Sequence, residues 1–319
     1  YGVTGFEESA LFYREPEGEW NSFDYPVEAD KIDIHGFSEK NDKLYFSAYK
    51  DGDTGTLYSY KFSNKTASKI YQNETVIISD VLRNYKGIPY GVIINEDYSN
   101  FLFFTKKVEH AKLHSKLYKS FNGDSVYITS STDDGKNIIV FTRGDKNPGT
   151  YFHFNIDTEK AKFLLERSDW LKKKDLAEVL PYKFKARDGR ELHGYLTLPE
   201  GKVAKNLPLV VNPHGGPHGP RDYWTFDWRV QALASKGYAV LQVNFRGSGG
   251  YGYNFEKAGH LKWGSEIQYD IIDATHWAIK AGYADKNRVC IYGGSFGGYS
   301  ALMSSIVEPD LYKCTIGVS

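Results

Sequence analysis

The sequence has little sulfur. Its 319 residues include one methionine and two cysteines, Cys290 and Cys314. Each cysteine lies in an apolar, strand-like run, with neither a histidine nor a metal-ligand spacing beside it. A disulfide and a reactive thiol are the alternative interpretations. We expect instead two buried free thiols that pack as small hydrophobic side chains.

The sequence also lacks an excess of charge of either sign, because 40 basic side chains balance 40 acidic ones. No block of Lys or Arg stands out, which argues against a nucleic-acid or membrane-surface partner. The apolar runs are too short to cross a bilayer, and the first residues show no basic segment followed by an apolar signal core. We therefore expect a soluble protein. Its compartment stays open, with the cytoplasm favoured over the periplasm or secretion.

The length and apolar content predict two globular domains. Residues 1–167 alternate short strands with turn clusters, and residues 37–70 resemble residues 131–164. The offset between these stretches is about two repeats of a four-stranded propeller blade. The first domain is therefore predicted to be a partial β-propeller of about three blades, fewer than a closed ring needs.

Residues 168–319 have a different sequence pattern. A connector helix is expected first, over the letters DWLKKKDLAEV, and a hairpin after it. Buried strands then alternate with helical patterns, which predicts a mostly parallel, doubly wound sheet with helices on both faces. This α/β fold would be the N-terminal part of a second domain.

The letters GGSFG, from Gly293 to Gly297, form the pattern G-x-S-x-G between a predicted strand and a predicted helix. In that context the turn lifts the Ser295 hydroxyl above the sheet as a nucleophile. The helix that follows directs its first amides at the place where an oxyanion would form. An ordinary Gly/Ser-rich loop is the alternative interpretation of the same letters.

A second glycine loop, NPHGGPHG, follows an earlier predicted strand, where an α/β-hydrolase presents another oxyanion donor. His214 and His218 in this loop are four residues apart, but the Gly-Gly-Pro between them prevents a helical metal pair. A third loop matches the dinucleotide fingerprint from Gly247 to Gly252. It lacks the acidic residue that should end the next strand. Neither a metal nor a cofactor is expected.

These loops together, in this order and spacing, resemble the prolyl oligopeptidase family of serine peptidases, nearest to its acylaminoacyl-peptidase and dipeptidyl-peptidase-like branch. The resemblance implies a propeller that covers an α/β-hydrolase and admits short peptides. It implies that Ser295 is the nucleophile and that the N–H groups of Phe296 and Gly216 form the oxyanion hole. Some relatives have a tyrosine where this chain has His214, which favours the backbone donor. Homo-oligomerisation is left open.

Further side chains are candidates for the rim of the substrate pocket: His214, Arg246, Tyr251 and Tyr299. No histidine follows Ser295 in the sequence. Because this fold places its acid and its base after the nucleophile, we expect both beyond Ser319, in a protein of which this chain is a fragment cut at both ends. A carboxylesterase or lipase with the same turn, and a non-catalytic propeller binding module, are the alternative functions.

Overall fold

The computed structural model describes residues 2–3, 9–14, 17–24, 26–51, 54–105, 108–121 and 123–319. The chain divides into two compact units. The first comprises Tyr1–Asp51 with Gly55–Gln72, and the second comprises Gly52–Thr54 with Asn73–Ser319. Within the described residues, none of the helices combines the length and apolar character that crossing a membrane requires.

The first unit is built from antiparallel strands. Alternation along β6, Lys43–Tyr49, places Leu44, Phe46 and Ala48 on one face of the sheet, where they form a buried core with Phe23 and Tyr60. The strands pair as β1-β2, β3-β4 and a four-stranded sheet β5-β6-β7-β8, and a single 3-10 turn spans Phe62–Asn64. The strands are β1 Gly2–Val3, β2 Ser9–Ala10, β3 Phe12–Tyr13, β4 Asn21–Ser22, β5 Lys31–Phe37, β6 Lys43–Tyr49, β7 Thr56–Lys61 and β8 Thr66–Gln72.

The second unit begins with two more antiparallel sheets, ordered β11-β10-β9 and β12-β13-β14-β15. A helix lies between them in the chain and buries His114 and Leu117. The elements are β9 Ile78–Arg83, β10 Pro89–Asn95, β11 Ser99–Phe103, α1 Glu109–Ser120, β12 Ser125–Ser131, β13 Asn137–Gly144, β14 Asn147–Asn155 and β15 Lys160–Glu166.

The two similar stretches of sequence lie in the two four-stranded sheets, and each uses a glycine in the same way. Gly55 has φ +79° and Gly149 has φ +140°, both in the region that favours glycine. A Cβ at Gly55 would lie 2.5 Å from the Tyr49 ring, and one at Gly149 would lie 2.5 Å from the Phe141 ring. At the repeated Gly-Thr letters, the backbone therefore passes close to an aromatic ring of the preceding strand.

The prediction of a connector helix is wrong. Residues 168–177 contain turns and one 3-10 turn, Lys173–Asp175. The reason is a tertiary contact: the Gln231 side chain accepts from the Ala177 N–H and donates to the Ala177 carbonyl, both at 2.8 Å. Because a side-chain amide satisfies both backbone groups of Ala177, this residue needs no helical hydrogen bonds and leads directly into the next strand.

A six-stranded sheet ordered β16-β17-β19-β18-β20-β21 forms the rest of the second unit. The pairs β16-β17 and β17-β19 are antiparallel, whereas β19-β18, β18-β20 and β20-β21 are parallel. Its core consists of fully buried aliphatic side chains such as Val211, Leu241 and Ile291. The elements are β16 Glu178–Lys185, β17 Glu191–Leu198, β18 Leu207–Val211, α2 Trp228–Ser235, β19 Ala239–Asn244, α3 Tyr253–Lys257, α4 Glu266–Lys280, β20 Ala284–Gly294, α5 Phe296–Val307 and β21 Cys314–Val318.

The expectation of two buried free thiols is also wrong. Cys290 on β20 is directly opposite Cys314 on β21 in the parallel ladder, and the two form a disulfide. Cys290 is half-buried and Cys314 is exposed. The sequence places these residues in two separate apolar runs, and only the pairing of the strands brings them together.

Candidate active site

Ser295 lies at the turn between β20, which ends at Gly294, and α5, which begins at Phe296. Its φ of 54° and ψ of −125° are a strained combination for a residue that carries a side chain. Ser295 is exposed, and its side chain makes no capping hydrogen bond to α5. Its own N–H donates to the Val318 carbonyl at 2.8 Å, which anchors the turn to β21.

The glycines of the motif allow β20 and α5 to approach closely at this turn. A Cβ at Gly293 would lie 2.3 Å from the Gly297 backbone, and a Cβ at Gly297 would lie 2.2 Å from the Pro213 carbonyl oxygen. At Gly294 the nearest atom, the Val318 oxygen, would be 4.0 Å away. The first and last glycines of the pattern are therefore sterically required, and the second is not.

Two backbone N–H groups next to Ser295 are free to bind a ligand. Among the described residues, neither the Phe296 N–H nor the Gly216 N–H donates to a protein acceptor. The Phe296 N–H is at the positive end of the α5 dipole. The Gly215 backbone adjoins the serine, because a Cβ built at Gly215 would be 3.9 Å from Ser295 Oγ. This arrangement can bind an oxygen that gains negative charge.

His214, a predicted rim residue, directs its ring into the protein. Its Nδ1 is 2.7 Å from the Gly215 carbonyl oxygen, and its Nε2 is 2.8 Å from Ser248 Oγ. The ring stacks on Phe245 with a centroid separation of 4.2 Å. Burial lowers the pKa of His214 to about 4, so the imidazole is neutral at physiological pH.

Arg246 and Tyr251 also direct their side chains inward. The Arg246 guanidinium forms ion pairs with Asp270 at 2.6 Å and with Asp188 at 2.8 Å. The hydrogen bond to Asp270 raises the pKa of Arg246 above its usual range. Tyr251 Oη accepts from Arg221 at 2.7 Å. Both side chains brace the loop at residues 246–252.

Tyr299 is the predicted rim residue that faces solvent, with 41% of its surface exposed. Its ring lies 5.7 Å from the Phe296 ring and 6.4 Å from the Trp263 ring, centroid to centroid. Trp263 is itself 48% exposed and donates from its indole N–H to His218 Nε2 at 3.2 Å. An aromatic patch therefore lies beside the first turn of α5.

Two buried polar side chains that the sequence did not single out hold the glycine loop and the segment after it. The fully buried Asn244 accepts from the Asp222 N–H at 2.7 Å and donates to the Asp222 carbonyl at 3.1 Å. The fully buried Ser248 bonds to His214. From the sequence alone, Asn244 is only the end of a strand and Ser248 is only part of a glycine-rich loop. Only the fold reveals what they contact.

A general base is not found next to Ser295 in the part of the chain that the structure describes. His276, the last histidine in the sequence, lies on α4 and is 2.7 Å from Glu308 Oε1. The described residues also contain no cluster of three or more His, Cys, Asp or Glu side chains suited to a metal ion. Ser295 and the unengaged N–H groups therefore have no histidine base beside them among the residues that the structure describes.

Comparison with known sequences gives a consistent result. Residues 224–319 match the sequence model of the prolyl oligopeptidase family. Dipeptidyl aminopeptidase BIII of Pseudoxanthomonas mexicana is 29% identical over an alignment of 316 positions, which covers 96% of this chain and 45% of that protein. Dipeptidyl peptidase family member 6 of Caenorhabditis elegans is 26% identical, over 88% of this chain and 41% of that protein. The chain therefore spans less than half the length of these relatives.

Solved structures show the same fold. A puromycin-hydrolysing peptidase of Mycobacterium tuberculosis superposes with a TM-score of 0.66 at 19% identity, over 93% of this chain and 46% of that chain. An acylaminoacyl peptidase of Pyrococcus horikoshii gives a TM-score of 0.58 at 21% identity, over 97% of this chain and 47% of that chain. At these identities the likeness concerns the fold alone.

Proposed function

We propose that the chain belongs to the prolyl oligopeptidase family, as its glycine loops and the match over residues 224–319 suggest, and that the protein it represents is a serine peptidase that hydrolyses short peptides. The observation that carries the proposal is the Ser295 turn: an exposed hydroxyl on a strained backbone, beside two unengaged N–H groups. The relatives named as dipeptidyl peptidases support a substrate of a few residues.

The proposed reaction proceeds through an acyl-enzyme. Ser295 Oγ attacks the scissile carbonyl carbon, its proton passes to a general base, and the carbonyl oxygen becomes an oxyanion held by the Phe296 and Gly216 N–H groups. The base returns the proton to the leaving amine as the C–N bond breaks. Water then attacks the ester carbon and releases the acid, and the proton it gives up restores the serine hydroxyl.

The base and the acid that orients it are proposed to lie beyond Ser319. Two observations support this: the described residues provide no base at Ser295, and the relatives are more than twice as long as the aligned segment. In this fold the acid and then the histidine follow the serine in the chain. A serine without such a partner is a weak nucleophile, so the proposal requires both residues.

The domain organisation is proposed on the same basis. Residues 1–167 would form part of a β-propeller, with the sheets β5-β8, β9-β11 and β12-β15 as blades, and residues 168–319 would begin the α/β-hydrolase domain. The four-stranded antiparallel sheets and the parallel strands around β18 support this division. A propeller above the serine would admit short peptides and exclude folded proteins.

The test is Ser295→Ala in the full-length protein, measured with a dipeptidyl anilide. We expect hydrolysis to fall by at least about 10³-fold, because the acyl-enzyme cannot form. Ser305→Ala is the matched control, since Ser305 lies on the same helix and its hydroxyl only donates to the Leu302 carbonyl. An unchanged rate in Ser295→Ala contradicts the proposal. A wild type that cleaves a short acyl ester but no anilide indicates an esterase instead.

A further inference from the structure

The structure determines which nitrogen of His214 carries the proton. A carbonyl oxygen can only accept, so Nδ1, 2.7 Å from the Gly215 oxygen, must be the donor. Burial keeps the ring neutral, with a pKa of about 4, and Nε2 therefore has a lone pair. Ser248 Oγ, 2.8 Å away, must then donate its proton to Nε2. The three groups form a chain of hydrogen bonds with one direction, from Ser248 through His214 to the Gly215 carbonyl.

The acceptor of this chain shares a peptide group with a predicted oxyanion donor. The Gly215 carbonyl and the Gly216 N–H belong to one planar trans peptide, so they point in opposite directions. Two adjacent glycines impose little preference on the orientation of the peptide between them. A hydrogen bond to the carbonyl therefore fixes the direction of the N–H. The Gly215 backbone lies beside Ser295, where that direction matters for the reaction.

Ser248 is itself held firmly. It is fully buried, and its N–H donates to the Phe245 carbonyl at 3.0 Å. The adjacent Gly249 N–H donates to the Pro220 carbonyl at 3.4 Å. On the other side, the His214 ring stacks on Phe245. The hydroxyl is therefore fixed relative to the glycine loop.

We propose that Ser248 is a positioning residue of the oxyanion hole: its hydroxyl fixes the His214 tautomer, and His214 in turn fixes the direction of the Gly216 N–H. This inference rests on the proposed peptidase function. Ser248 touches neither the substrate nor Ser295 in this account, and its effect passes through the imidazole ring.

The kinetic test compares Ser248→Ala with Ser248→Thr in the full-length protein, using a dipeptidyl anilide. A misdirected donor weakens binding of the transition state more than binding of the substrate. Ser248→Ala should therefore lower kcat by about tenfold or more, while KM stays within about twofold. Ser248→Thr, which keeps the hydroxyl, should restore most of kcat. The control is Ser235→Ala, an exposed serine whose hydroxyl donates to the Ala232 carbonyl. A wild-type kcat in Ser248→Ala, or a loss confined to KM, overturns the proposal.

A second arm tests whether Ser248 acts through the ring. In His214→Asn the side-chain amide can replace Nδ1 as donor to the Gly215 carbonyl and needs no partner to set a tautomer. Adding Ser248→Ala to that background should cost less than about twofold in kcat. An equal loss in both backgrounds means that Ser248 acts independently of His214, which contradicts the proposal.

The last arm does not depend on peptidase activity. Nitrogen-15 NMR of histidine-labelled protein, with His214 assigned by its loss in His214→Asn, should show a neutral ring protonated at Nδ1. A ring protonated at Nε2 or at both nitrogens overturns the proposal. A wild type that cleaves neither anilide nor ester counts against the proposed function, and in that case the NMR spectrum alone decides the inference about Ser248.

Discussion

Gly294 and Gly297 differ in the space that surrounds them, although both lie close to Ser295 in the sequence. A methyl group at Gly297 would lie 2.2 Å from a backbone oxygen of the glycine loop, whereas one at Gly294 would have no neighbour closer than 4.0 Å. At Gly297, α5 or the glycine loop would have to move. Glycine is therefore required at Gly297, where α5 approaches the glycine loop closely, and is not sterically required at Gly294.

Gly297→Ala should therefore lower the free energy of unfolding by about 1–3 kcal/mol, as overpacking in a rigid site does. It should also slow modification of Ser295 by a fluorophosphonate, because the displaced loop carries an oxyanion donor. Gly294→Ala should change the free energy of unfolding by less than about 0.5 kcal/mol. Urea denaturation and labelling rates measure both effects, and equal behaviour of the two variants would show that the close approach is unimportant.

His114 on α1 is another buried neutral imidazole. The Tyr90 hydroxyl donates to its Nδ1 at 2.9 Å, and its Nε2 donates to the Val126 carbonyl at 2.7 Å. Burial lowers its pKa to about 4, from an ordinary value of 6.5. At pH values between these two, the unfolded chain binds a proton that the folded chain does not. The stability that this neutral histidine provides is complete above pH 6.5 and is lost as the pH falls toward 4.

Replacing His114 with Gln should flatten the pH dependence of unfolding. In the wild type this residue alone costs up to about 3 kcal/mol between pH 6.5 and pH 4, at 1.36 kcal/mol per pKa unit. His114→Gln lacks this titration, so its free energy of unfolding should fall less over the same interval. The measurement is a series of urea denaturations of both proteins. Parallel curves for the two proteins would mean that His114 titrates normally in the folded state.

At the scale of secondary structure, the disulfide and the reactive turn belong to the same strand pair. The β20-β21 ladder runs from the Cys290–Cys314 pair to the Gly294–Val318 pair. Beyond this end, the Ser295 N–H donates to the Val318 carbonyl. The covalent bond closes a loop over a sequence separation of 24 residues that contains all of α5. It therefore restricts the unfolded chain in the segment that carries the nucleophile.

Removing this bond should destabilise the protein by about 3 kcal/mol, the value expected for a loop of this length. The double variant Cys290→Ser and Cys314→Ser should unfold at a lower urea concentration than the oxidised wild type. A dithiol should lower the unfolding midpoint of the wild type toward that of the variant. As the control, the dithiol should not change the unfolding midpoint of the double variant. Thiol titration of the unfolded wild type should find no free thiol before reduction. Two free thiols at that stage would contradict the disulfide.

Local patterns were sufficient for the elements around the site. The spacing of Ile267, Ile271 and Ala274 indicates an amphipathic helix, and α4 spans Glu266–Lys280. Local sequence patterns did not predict the structure correctly where a contact with a residue distant in the sequence determines it. Gln231 keeps Ala177 extended in a segment whose composition favours a helix, and strand order pairs Cys290 with Cys314. Neither contact can be inferred from the neighbours of these residues in the sequence.

Across the whole chain, the strained Ser295 turn, the unengaged Phe296 N–H and the Gly215–Gly216 backbone lie close together, and we propose that they supply a nucleophile and an oxyanion hole. The glycine pattern between a strand and a helix made Ser295 a candidate nucleophile, and the family resemblance added the Phe296 and Gly216 N–H groups as candidate donors; these roles stay predictions. The sequence did not predict that His214 and Arg246 turn inward, because Ser248 and Asp270, their partners, lie in other segments. The two relatives described above are more than twice as long as the segment that aligns with this chain.

The most direct measurement is fluorophosphonate labelling of the full-length protein, with the modified residue located by mass spectrometry. We expect one label per chain, on Ser295, and loss of peptide hydrolysis in proportion to the labelled fraction. A label on another residue, or full hydrolysis by protein whose Ser295 is blocked, would contradict it.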